Sequence, residues 1–128
     1  MPVAIVQTLH KTDSETRVDV QVDVSSGLAG LTIVGCYEGT GNLGAVVRAA
    51  ITNSGFEWPA TKRITVLLSP ADLPKSGVHF DLPVAAAVLV ASGQIDPVKE
   101  LLAGELQLDG TVRNGTPSRI TSLNDLKN

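Results

Sequence analysis

The sequence predicts an α+β fold, an α/β two-layer arrangement in which one layer of sheet carries two main helices. Three observations predict it. Residues 17–24 alternate valine with polar side chains, the period of a strand with one wet face. From Asn42 the apolar residues recur with the period of a helix, and this helix lies between two strand-like runs. Residues 84–91 are almost entirely apolar, as a helix buried all round requires.

Taken in order, residues 3–9 read as a first strand. The second is residues 17–24, where Val18, Val20, Val22 and Val24 alternate with Arg17, Asp19, Gln21 and Asp23. "SSGLAG" then turns the chain into a third strand at residues 31–34, and the short spacings predict that these strands pair as antiparallel neighbours. Leu43, Val46, Val47, Ala50 and Ile51 form one helical stripe, which Gly55 ends. "RITVLLS" supplies an apolar strand, so residues 31–69 make a β-α-β unit. Asp81 is placed to cap the second helix, Pro83 falls in its first turn, and Gly93 stops it. "LLAGELQLDGTV" reads as a strand followed by an Asp-Gly hairpin turn. After Val112, "RNGTPSRITSLNDLKN" is polar and weakly patterned, and residues 113–128 are expected to be poorly ordered or loosely docked.

Size and composition bound the function. At 128 residues the chain is one domain, and only Tyr37, Phe56, Trp58 and Phe80 are aromatic, so aliphatic side chains must fill the core. A net charge of -3 with no run of like charges argues against a dedicated nucleic-acid module, although a small basic patch fits within it. One cysteine, Cys36, makes neither a disulfide nor a cysteine-rich metal site, and it reads as a small buried residue. His10 and His79 lack a second ligand at metal spacing. The longest apolar run, "LPVAAAVLVA", is about half of the ~20 residues a membrane span needs, and no secretory leader pattern opens the chain. The expected setting is the cytoplasm, with no membrane partner.

Gly39, Gly41 and Gly44 match the G-x-G-x-x-G spacing of a dinucleotide loop. Their context tells against that reading. Such a loop belongs to the first β-α-β of its fold and is followed by an acidic residue closing the next strand, whereas here two strands lie upstream and Asp72 falls beyond the strand in a loop. No Gly-Lys dipeptide exists, so a P-loop is absent. The richest segment is "SPADLPKSGVHFDLPVA", where a loop carrying Asp72, Lys75, Ser76, His79 and Asp81 joins a buried strand to a buried helix. A contact or catalytic loop accounts for it, and so does a structural one in which Asp81 caps, the prolines stiffen and Lys75 is solvated.

"GLAGLTIVG", the run from "VRAAITNSGFEWPATK" to "FDLPVAAAVLVASGQI", and "LAGELQLDG" together closely resemble the N-terminal domain of the magnesium-chelatase-like AAA+ ATPases, the ComM/YifB competence-protein family. The resemblance covers residues 1–112. It implies a ribosomal protein S-five second-domain-like fold, shared with the Lon protease catalytic domain: a mixed sheet, both helices on one face, and a left-handed β-α-β crossover against the usual rule. In such relatives an AAA+ module follows, which implies ATP and Mg handled there and not in this chain, a hexamer, and DNA reached through the parent protein. Two stretches depart from the family pattern: "GCYEGTGNLG" replaces a more charged loop, and "VRNGTPSRITSLNDLKN" leaves the usual continuation.

The kinship with Lon lets a protease reading be tested by position. Laying "PKSGVHFD" on the Lon-type serine loop places His79 where the nucleophile stands, with Ser76 at a preceding acidic position, and Arg119 near the lysine base. Arginine does not act as a neutral base at physiological pH. The resemblance therefore implies a non-catalytic interaction or regulatory domain with no catalytic, cofactor or metal residues of its own, partnered by its AAA+ module, and the loop position of Asp72, Lys75, His79 and Asp81 makes them the expected contact patch. The alternatives are a Lon-like serine hydrolase using Ser76 and a nucleotide-binding module using Gly39, Gly41 and Gly44.

Overall fold

The computed structural model describes residues 3–10, 13–35, 43–69 and 80–127. Among the described residues, six strands and two α-helices are arranged as β1 (Val3–His10), β2 (Asp13–Ser25), β3 (Gly30–Val34), α1 (Leu43–Asn53), β4 (Arg63–Ser69), α2 (Asp81–Ala91), β5 (Ala103–Leu106) and β6 (Val112–Thr116). A short 3-10 turn, Leu123–Leu126, follows. The fold is α+β, as the sequence predicts.

Four strands form one mixed sheet in the order β1-β2-β4-β3. β1 and β2 pair antiparallel, with Val6 opposite Val20, and β2 reaches back to Asp13, four residues before the expected start at Arg17. The expected antiparallel pairing of β2 with β3 does not occur. β4 lies between them, antiparallel to β2 and parallel to β3, with Val66 opposite both Val22 and Ile33. β3, α1 and β4 thus form the expected β-α-β unit. A short turn between two strands does not require that they be neighbours, and β4 is the more apolar strand of the two competing for the central place, with Ile64, Val66 and Leu68 all buried.

The inner face of the sheet is Ala4, Val6, Val18, Val20, Val22, Ile64, Val66 and Leu68. α2 lies across β1 and β2 and also contacts α1 and β5, which is why almost every one of its side chains is buried. Removing a Leu or Val side chain from water contributes roughly 1.5–3 kcal/mol, so α2, with Leu82, Val84, Val88 and Leu89 fully buried, anchors the core. α1 buries only one stripe, Leu43, Val47, Ala50 and Ile51.

Residues 113–127 are not a loose tail. Val112–Thr116 is β6, paired antiparallel with β5, and Ile120 and Leu123 are 1% and 0% exposed. The Val112 amide donates to the Thr121 carbonyl and the Leu123 amide to the Gly110 carbonyl. Ser122 and Asp125 form a capping box on the 3-10 turn, so this polar sequence satisfies its own backbone.

Candidate functional site

The loop singled out from sequence leaves β4 at Ser69 and rejoins the described chain at Phe80. Asp72, Lys75, Ser76 and His79 lie outside the described residues, as do Cys36, Gly39 and Gly41. Asp81 is described, and its role differs from the expected one. Phe80 occupies the N-cap position without a side-chain capping bond, and Asp81 is the first residue of α2. Its Oδ2 accepts a 3.1 Å hydrogen bond from the Leu106 amide of β5. At 4% exposure it faces the protein and not a partner.

Burial pushes the Asp81 carboxyl up from 3.8 to about 7, because desolvation disfavours the charge. The Leu106 amide offsets part of that rise, and the nearby charge of Glu105 adds to it. Asp81 is therefore a latch between helix and hairpin whose charge state changes near neutrality.

The β5–β6 hairpin is locked from the other side by the end of α1. Asn53 Nδ2 donates to the Leu108 carbonyl at 2.9 Å. Gly110 has φ +91°, and a side chain there would run into Ser54 Oγ and the Ala50 carbonyl. Asp109 Oδ1 accepts from the Thr111 amide and hydroxyl at 3.0 and 2.7 Å, which closes the turn and holds the Asp109 carboxyl below its ordinary value. The segments "NSG", "FD" and "GELQLDG", far apart in sequence, meet here. Arg119, laid on the lysine-base position, instead forms an exposed ion pair with Glu100. Among the described residues no group of His, Cys, Asp or Glu is arranged for a metal ion.

Gly44, the third glycine of the candidate dinucleotide motif, is a close-packing position: a Cβ there would strike the Leu31 side chain of β3. It borders an open cleft of about 430 Å³ between β3, α1 and the turn before β4. Leu31 and Ile64 form its floor, half-buried Trp58 one wall, and exposed Arg48 and Lys62 its rim. No carboxylate is among its described lining residues. Sequence reading missed this feature because its residues come from three separate segments and make no local motif. The available signals were the one tryptophan and an exposed arginine flanking the buried stripe of α1.

A family model for subunit ChlI of Mg-chelatase matches residues 20–121. The uncharacterized protein YifB of Escherichia coli is 50% identical over 109 residues, 82% of this chain and 21% of that protein. YifB of Salmonella typhimurium is 48% identical over the same length. Competence protein ComM of Haemophilus influenzae is 46% identical over 100 residues, 75% of this chain and 19% of ComM. The chain spans about a fifth of the length of these curated relatives.

Proposed function

Because the chain belongs to the family of Mg-chelatase subunit ChlI, together with YifB and ComM, we propose that it is a non-catalytic interaction and regulatory domain of a larger ATPase of that type. The observation that carries this reading is the use made of the motif residues. Asn53 holds Leu108, Asp81 holds Leu106, and Gly110 packs on Ser54, so the motifs build a scaffold around one hairpin. The absence of a Gly-Lys dipeptide supports placing ATP hydrolysis, with its Mg, in an AAA+ module elsewhere in the parent chain. Hexamer assembly and any action on DNA belong to that parent protein. The domain contributes surface, and Asp72, Lys75 and His79 are its proposed contact loop, with Asp81 fixing the helix behind them.

The test uses a full-length relative and this chain side by side. Alanine at the positions of Asp72, Lys75 and His79 in the full-length protein should leave basal ATP hydrolysis intact and weaken its coupling to DNA or partner. Unchanged coupling would sink the contact loop. ATP hydrolysis by this chain alone, or a covalent adduct of a serine-reactive phosphonate at Ser76, would overturn the non-catalytic reading.

A further inference from the structure

We infer that the open edge of β3 and the cleft beside it bind an extended acidic peptide segment, one apolar side chain of which enters the cleft. The inference rests on the domain's role as an interaction module and names the site and the kind of partner.

Charge is the first argument. Arg48 and Lys62 are exposed at the rim of the cleft, and among the described residues neither side chain makes a hydrogen bond or ion pair. In a chain of net charge -3, a group of unpaired cations with no carboxylate in the cleft beside them is a local field favouring an anionic partner.

Shape is the second. Leu31 and Ile64 give an apolar floor and Trp58 an aromatic wall, and about 430 Å³ admits one large side chain with its backbone. Leu28, 89% exposed, stands on the turn leading into β3, next to the lining residue Ala29. Tryptophan and arginine at one concave place match the composition of protein-binding hot spots.

The strand edge decides between partners. β3 ends the sheet order and pairs only with β4, so along its outer side alternate N–H and C=O groups face away from the sheet with no strand partner among the described residues. A peptide supplies both donors and acceptors to such an edge, as in strand addition. A nucleic-acid strand supplies phosphate acceptors, which the outward carbonyls repel. Trp58 is also half-buried against the core, which leaves less of its ring for stacking a base.

Trp58 is the one tryptophan, so its emission reports the site directly. The 128-residue chain is titrated with an octapeptide alternating glutamate with leucine or valine, with the same peptide N-methylated at alternate amides, and with single-stranded octathymidylate. The expected result is a saturable shift of Trp58 emission with the acidic peptide. Its affinity should fall at least tenfold in R48E/K62E and at least tenfold on N-methylation. These exposed substitutions leave the core untouched, and an unchanged melting temperature checks that. No saturable shift, indifference to R48E/K62E, indifference to N-methylation, or equal or tighter binding of octathymidylate would each overturn the inference. ATP hydrolysis and Ser76 labelling read the broader proposal separately, so either can fail alone.

Discussion

The two edges of the main sheet are finished differently. At β1 the Leu102 amide donates to the Gln7 carbonyl, and α2 packs across both β1 and β2. At β3 no described strand follows, the burial pattern alternates only between half-buried and exposed, and a cleft with a cationic rim opens where the strand meets α1. The closed side carries the stability of the domain, and the open side carries its free chemistry. Substitutions should accordingly divide into two sets, one moving stability and the other moving only binding.

The largest effect is expected at the centre of the closed side. Leu89→Ala removes a fully buried side chain from α2 and should lower the unfolding free energy by about 3 kcal/mol, read from urea denaturation. Gly110→Ala comes next, at about 2 kcal/mol, because the new methyl combines a left-handed backbone with a clash against Ser54 and Ala50.

An effect that depends on pH should come from Asp81. Its carboxyl holds a proton more tightly folded, at about 7, than unfolded, at 3.8, so between these values the folded state binds the extra proton and stability falls as pH rises. Below pH 4 both states are protonated and the effect vanishes, and above 7 it is complete. Asp81→Asn keeps an acceptor for the Leu106 amide without the charge, so it should flatten the fall between pH 4 and 7. Equal slopes for the two proteins would contradict the latch. Asp109 and Asp125 are held below the ordinary carboxylate value by hydrogen bonds and titrate outside this window.

The smallest stability change is expected on the open side, where R48E/K62E should stay within about 0.5 kcal/mol of the parent. A drop comparable to that of Leu89→Ala would show that the cleft is part of the core and erase the contrast.

Much of the closed side was legible in sequence. β4 and α2 announce themselves by composition, since a strand buried on its inner face and a helix buried all round leave few polar positions. The sheet order was not legible, because nothing local in "SSGLAG" says that β4 will come between β2 and β3. Ile120 and Leu123 were hidden for another reason: two apolar residues in a polar run make no period, and their burial depends on a hairpin formed earlier in the chain. Asp81 carried a good capping signal, but the Leu106 amide took its carboxylate instead. The cleft was the least legible feature, since charge and aromaticity converge there only after folding.

The hairpin is tied to α1 through Asn53, to α2 through Asp81 and to the last turn through the Leu123 amide. Such a hub has a signature in time. Because no one of these ties opens without straining the others, the Leu106 and Leu123 amides should exchange with solvent deuterium only when the whole domain unfolds, whereas the outward amides of β3 exchange through local fluctuation. The domain would then behave as one slow cooperative unit with a fast margin, and the fast margin is the side proposed to bind the acidic peptide.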